Sequence, residues 1–392
     1  LFQSYIDFLK SHNVNFNKWE HFLTKYEAYG IKIPLLKKQF TTYECKQSNN
    51  ILFYTGFSII NWNYSYSISN ALGGSETAVA KLSRVFPTNY NIYVVGEFIT
   101  EEVIDNVQYI NFDSLNNIIT HTPFHTVIVS RYINFYTNFS HLSYYQSFIW
   151  AHDIDLLDFN SSLDANTILQ KLDNQIKGCI CQTEWHKQHF CNKYPSLTNK
   201  ISVINNGINV DYFNQQPIKF NNRFIYSSCP ERGLERLLEL WPQIISHFHD
   251  AELYIASYNT FPKNDYEKHL ESIIVKYDSI KHVGCLNKKQ LYELISSSEF
   301  WLYPTNFTET SCITSMEMLM GEVICIYYPI GGLINTLGDY GIPIDNGNEI
   351  KVLQELTTDK KNEIRIRGKE YALSCSWENR VSNWLNILNL HT

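Results

Sequence analysis

Between Trp301 and Gly321 the chain reads WLYPTNFTETSCITSMEMLMG, with two carboxylates, Glu309 and Glu317, on either side of a run of hydroxyls and a thiol. Phe300 to Tyr303 is a short apolar and aromatic run, the pattern of a buried strand. Pro304 closes it, because proline cannot donate to a central ladder. Thr310 and Ser311 are residue types that cap helices, so a helix is expected to open there. A helix that starts at the carboxyl end of a parallel strand offers free N–H groups and the positive end of its dipole, which together hold a phosphate. Glu309 then lies where a sugar ring would sit beside a bound diphosphate, and Glu317 where ribose hydroxyls would. That set suits a nucleotide-sugar, although a single helix glutamate is otherwise only a solvated side chain.

Those carboxylates need elements to hold them. Apolar runs at Ile51 to Gly56, Ile92 to Val95, Thr126 to Val129, Ser147 to Ala151, Gly178 to Thr183 and Ile201 to Ile204 alternate with helical stretches. After a polar segment at Asn214 to Asn222 the pattern restarts at Arg223 to Ser227, Glu252 to Ala256, Ile280 to Val283, Phe300 to Tyr303 and Val323 to Tyr327. Near-continuous apolar strands alternating with helices indicate parallel sheets covered on both faces. The expected fold class is α/β, two Rossmann-like doubly wound domains facing a cleft, at residues 51–210 and 211–372. Residues 1–50 have helical stripes (Phe2, Tyr5, Ile6, Leu9; then Trp19, Phe22, Leu23, Tyr26) and read as an appended N-terminal arm. Within the last segment, 373–392, Ser376 caps an amphipathic helix whose stripe is Trp377, Val381, Trp384 and Leu388.

Composition narrows the function. The 392 residues fit two domains, and 44% hydrophobic content is enough for two cores. A net charge of −7 argues against nucleic acid as partner. No run of 18 apolar residues occurs, so no transmembrane segment is expected. The opening LFQSYIDFLK lacks an initiator Met and a basic n-region; it does not read as a signal peptide, and further domains upstream are an open expectation. Nine cysteines form no Cys-x-x-Cys pair; they read as buried free thiols in a reducing, cytoplasmic compartment.

Further along the chain, Gly73 and Gly74 permit close backbone approach to a ligand, and Ser75 is placed to cap a helix from Glu76 to Val85. The string is not Gly-x-Gly-x-x-Gly, which argues against a dehydrogenase. His152 ends an apolar strand; a lone histidine is more often structural, but a strand end facing a cleft favours a ligand role. Arg232 opens the helix after the Arg223 strand, and its planar fork suits a pyrophosphate. Paired with Glu235 or Glu239 it would be an ordinary surface arginine.

Five strings in this order resemble the retaining GT-B glycosyltransferases, glycosyltransferase family 4 in particular. Glu309 and Glu317, seven residues between them, resemble that family's paired glutamates. Ala71 to Val79 (ALGGSETAV) is similar to its first glycine-rich loop, and Trp150 to Asp153 (WAHD) to its histidine-bearing strand end. Ile204 to Phe213 (INNGINVDYF) is similar to its interdomain segment, and Tyr226 to Leu238 (YSSCPERGLERLL) to the first strand and helix of its nucleotide domain. The resemblance implies a metal-independent enzyme with no cofactor, moving a sugar from a UDP- or GDP-linked donor to a glycan, glycoconjugate or protein acceptor.

It also implies roles. Glu317 would hold ribose hydroxyls, Glu309 would orient the donor sugar, and His152 would sit beside the reacting sugar without acting as general base. The N–H groups of Ser311, Cys312 and Ile313, together with Arg232, would meet the diphosphate. Gly74 would approach the donor, the Gly284–Leu286 loop, Leu286 included, would read the base, and Gly331 and Gly332 would lie near the sugar. Ser75, Arg131 and Asp153 fall on the acceptor side. The family's second basic residue is replaced by Ser227, with Arg131 as one substitute. Asp153-Ile154-Asp155 matches the metal string of the other main glycosyltransferase fold, but in this loop it reads as chance. A sugar-nucleotide epimerase and a catalytically silent nucleotide-sugar module of a longer chain are the alternatives; a DNA-modifying glucosyltransferase is disfavoured by the acidic balance.

Overall fold

The computed structural model describes residues 42–119, 122–159, 161, 163–214, 217–257 and 264–390. The two apolar stripes assigned to an N-terminal arm lie outside the described residues; residues 42–47 are helical.

Two sheets are built in succession. The first uses β1 (Asn50–Gly56), β2 (Asn91–Gly96), β3 (Glu102–Ile104), β4 (Val107–Asn111), β5 (Phe124–Ser130), β6 (Tyr144–Trp150), β7 (Ile176–Cys181) and β8 (Ile201–Val203). The second uses β9 (Arg223–Tyr226), β10 (Glu252–Ala256), β11 (Ile280–Gly284), β12 (Phe300–Tyr303), β13 (Ile324–Tyr327) and β14 (Ile342–Pro343). Their orders are β3-β4-β2-β1-β5-β6-β7-β8 and β11-β10-β9-β12-β13-β14. All pairings between these strands are parallel except β3 with β4. The helices that matter for the site are α1 (Gly74–Val85), α2 (Glu184–Lys193), α3 (Leu234–His247), α4 (Lys288–Ser297), α5 (Ile313–Met320), α6 (Thr358–Ser374) and α7 (Trp377–Leu388).

The apolar runs form strands because both of their faces are covered. In β1, Ile51 and Phe53 enter one core while Leu52 and Tyr54 enter the core on the opposite face. Each such fully buried side chain contributes about 1.5–3 kcal/mol. In both sheets the chain order reverses in the middle, between β1 and β5 and between β9 and β12. The crevice beyond the carboxyl ends of the strands at such a reversal is where open α/β sheets bind ligands. Gly73, Arg131, Arg232 and Glu309 all follow one of these four strands.

Two helix starts differ from expectation. The first helix opens at Gly74, with Gly73 as its cap residue, so Ser75 lies in the first turn instead of capping it. Its hydroxyl donates to Glu76 Oε2 at 2.9 Å. The helix expected to open at Thr310 and Ser311 begins at Ile313, with Cys312 at the cap position and no side-chain cap. The β3–β4 hairpin and β14 add strands that the periodicity does not announce. All nine cysteines are free, but Cys285 is exposed and Cys191 and Cys229 are only half-buried, contrary to a uniformly buried set.

The chain crosses between the sheets twice, side by side. Ile208 N–H donates to Cys375 O at 2.9 Å, and Trp377 N–H to Ile208 O at 3.4 Å. After the second crossing α7, capped by Ser376, packs back on the first sheet. Its Trp384 meets Trp150 edge-on at 4.7 Å, and Gln146 Nε2 donates to Leu388 O at 2.7 Å.

Candidate functional site

The loop from Pro304 to Cys312 carries the first carboxylate out of β12 and into α5. Glu309 is 4% exposed. Tyr303 OH donates to its Oε1 at 2.9 Å, and Arg232 Nη1 donates to Oε1 and Oε2 at 3.1 and 3.3 Å. Burial pushes the Glu309 carboxyl above its ordinary value, against the pull of Arg232 and Tyr303. The backbone behind it is held by the glycine pair. Gly332 N–H donates to Glu309 O at 2.5 Å. A Cβ on Gly331 would lie 2.4 Å from Glu309 O, and one on Gly332 would lie 2.3 Å from Thr310 O, so only glycine permits the approach.

Arg232 does not pair with Glu235 or Glu239. Its guanidinium lies over the Phe307 ring at 4.0 Å and gives only Nη1 to Glu309. Arginine has five N–H donors, so the rest of the fork is available to an anion. Ser227, at the position of the expected second basic residue, keeps a buried hydroxyl that has no partner among the described residues, as does Ser311 at the mouth of α5.

Thr310 explains the late start of α5. Its hydroxyl, free to cap in principle, donates instead to His152 O across the cleft at 2.7 Å. Thr183, which caps α2, donates to Thr310 O at 2.8 Å, and Trp185 N–H donates to Asn335 Oδ1 at 2.9 Å. These contacts bring the first sheet's loops against the Glu309 loop.

His152 therefore stands beside that loop. Its Nδ1 faces the Gln182 amide nitrogen at 3.4 Å, and its ring packs on Trp150. A donor opposite Nδ1 leaves the proton on Nε2, which is buried and has no partner among the described residues. Burial, then Arg131 and His186, hold the imidazole well below its ordinary value, so it is neutral at pH 7.

The acceptor-side candidates form a closed set. Arg131, in the left-handed region at φ 66°, grips Asp153 with Nε–Oδ2 at 2.7 Å and Nη2–Oδ1 at 3.2 Å. It also reaches Glu76 at 3.4 Å. Its charge is thus matched within the first domain. Asp155 turns away from Asp153 to pair with Lys193. Among the described residues no group of His, Cys, Asp or Glu is clustered to hold a metal. Gly74 opens α1 with free space where a Cβ would stand.

Glu317 faces a different part of the cleft. It is 8% exposed, and Tyr292 OH donates to Oε1 at 2.7 Å while Tyr292 stacks on Tyr212 at 4.9 Å. The small cavity over it is lined by Thr77 and Lys81 of α1, by Gly207 to Asn209 and Trp377 at the crossings, and by Lys288 and Ile313. Leu286, half-buried after β11, is not among the residues lining that cavity; Lys288, two positions on, is. Tyr292, Thr183 and both lysines are single residues on helices or turns, and nothing in the sequence marks them.

No protein-family model matches the chain, and no curated protein matches it. Solved structures do. A glycosyltransferase from Rickettsia africae superposes with a TM-score of 0.68 at 15% identity, over 88% of this chain and 98% of that one. Sucrose-phosphate synthase from Thermosynechococcus elongatus gives 0.64 at 12% identity, over 87% and 98%. Anabaena HepE in complex with UDP gives 0.64 at 13% identity, over 87% and 99%. The fold is GT-B. At these identities the likeness establishes the GT-B architecture of two facing Rossmann-like domains and leaves activity to be argued from the site. Among the described residues no helix is long and apolar enough to cross a membrane.

Proposed function

We propose that this protein is a retaining, metal-independent glycosyltransferase that uses a nucleotide-diphospho-sugar. The reading is carried by one convergence: the Arg232–Glu309 pair and the Thr310 hydroxyl bonded to His152 O both lie at the loop that leads into the N-terminus of α5. A helix start leaves its first N–H groups unpaired, and those of Ser311, Cys312 and Ile313 are assigned to the diphosphate. The open side of the Arg232 fork neutralises charge on the leaving group as the glycosidic bond breaks. Glu309 orients the sugar hydroxyls, and His152 donates to the sugar without removing a proton. Glu317 takes the ribose through the oxygen that Tyr292 leaves free. HepE has been crystallised with UDP and with UDP-glucose, and a starch synthase catalytic domain with ADP. That gives a nucleoside diphosphate as the first ligand to try.

Calorimetry in metal-free buffer against UDP, GDP, ADP and CMP tests this. One nucleotide should bind saturably and lose at least roughly tenfold in affinity, about 1.4 kcal/mol, in Glu317→Ala. A folded wild-type chain that binds none of them would remove the donor site. The second reading, a silent nucleotide-sugar module, is favoured by Ser227 in place of a cation; it predicts nucleotide binding with neither sugar transfer nor donor hydrolysis.

A further inference from the structure

The cavity over Glu317 holds two cations from opposite domains. Lys81 comes from α1 and Lys288 from α4, and both line the same space. Among the described residues neither has an ion-pair partner; their neighbours are aromatic faces, Lys81 over Tyr64 at 5.3 Å and Lys288 over Tyr292 at 6.0 Å. Glu317 is the carboxylate in the lining, and Tyr292 already occupies one of its oxygens. Burial, then Lys288 and Arg84, push the Lys81 amine down to about 8, the mark of an ammonium held without sufficient counter-charge. Like charges facing each other across a closed cleft repel, and an anion between them converts the repulsion into attraction on both sides.

We propose that Lys81 and Lys288 clamp the anionic part of the nucleoside diphosphate whose ribose Glu317 holds, so that the first domain reads the donor's charge directly. The inference rests on the donor-site reading above and adds a ligand group to it from the opposite domain. It also accounts for Ser227: the second phosphate cation is supplied across the cleft rather than by the strand that precedes Arg232. Ile313 lines the same cavity, which joins the clamp to the first turn of α5.

The test uses whichever of UDP, GDP and ADP binds the wild-type chain most tightly, with its monophosphate and its nucleoside. Titrations at low and high salt compare wild type, Lys81→Met, Lys288→Met, Lys81→Arg and, as control, the exposed neighbour Lys289→Met. Methionine keeps the apolar stem, and a thermal melt confirms folding. Each lysine-to-methionine change should weaken the diphosphate at least roughly tenfold, weaken the monophosphate less, leave the nucleoside unchanged and flatten the salt dependence. Lys81→Arg should recover most of the affinity, and Lys289→Met should match wild type. Diphosphate affinity unchanged in Lys81→Met, beside a loss in Glu317→Ala, would overturn the clamp and leave the donor site standing. An equal loss for diphosphate and nucleoside would overturn it too, because packing and not charge would then be responsible. A wild-type chain that binds no nucleotide would overturn both readings.

Discussion

The two ends of the cleft are joined by different physics. At one end the paired crossings at Ile208 and Cys375 are sealed by Trp377, Trp384, Leu385 and Leu388, which enter the core of the first domain. At the other, Thr183, Thr310 and His152 meet through two hydroxyl-to-carbonyl hydrogen bonds, with Asn335 adding a third contact to Trp185. Apolar burial on that scale is not undone at ambient temperature, whereas each of those hydrogen bonds contributes a net of about 1 kcal/mol. We read the first end as a hinge and the second as a latch. Opening and closing would then act on the Glu309 loop, because the latch is made of that loop's own next residue.

The comparison breaks most visibly at the hinge. Trp384→Ala should lower stability by about 3–5 kcal/mol, through lost burial and a cavity beside Trp150. Chemical denaturation would read it; a shift under about 1 kcal/mol would mean that α7 is not part of the first domain's core. A smaller effect is expected at the latch. Thr310→Val keeps the shape and removes the donor to His152 O, which should cost about 0.5–1.5 kcal/mol of the closed form. Turnover should fall roughly two- to tenfold while the melting temperature and nucleotide affinity stay near wild type. Equal losses in binding and turnover would show that the latch holds the donor site together whether or not the cleft is closed.

The smallest effect lies in pH. The Lys81 amine, at about 8 against an ordinary 10.5, keeps its charge below pH 8 and loses it above. Around it stand Lys288, Arg84, Glu317, Tyr64, Tyr212 and Tyr292. Nucleotide affinity should therefore hold to about pH 8 and decline by roughly two- to threefold towards pH 9. Lys81→Met should be flat across that window. A rise in affinity with pH would contradict the sign of the clamp.

Much of the fold is legible in the sequence, because fully covered parallel strands leave uninterrupted apolar runs such as Ile51 to Tyr54 and Phe300 to Tyr303. The β3–β4 hairpin is not, since Glu102–Ile104 is three residues long and partly exposed. The two carboxylates, Arg232 and His152 can be picked out as candidates, because strand ends and helix starts concentrate ligand groups. Their partners cannot. Glu309 meets Arg232 from 77 positions away, and Thr310 gives up capping for a carbonyl 158 positions away. Local propensity favoured Thr310 or Ser311 as a cap; a tertiary hydrogen bond overrode it. Lys81 and Lys288 carry no signal at all until the domains face one another.

The position of α7 also has a consequence for biogenesis. Trp384 and its neighbours complete the first domain, yet the ribosome reaches them only after the whole second sheet has been made. At ordinary elongation rates that interval is on the order of ten seconds or more. Throughout it the nascent first domain displays the apolar groove around Trp150 that α7 later fills, a surface suited to chaperone capture or to misassembly. Each domain is translated as a block, but the first becomes fully native only once the second has emerged.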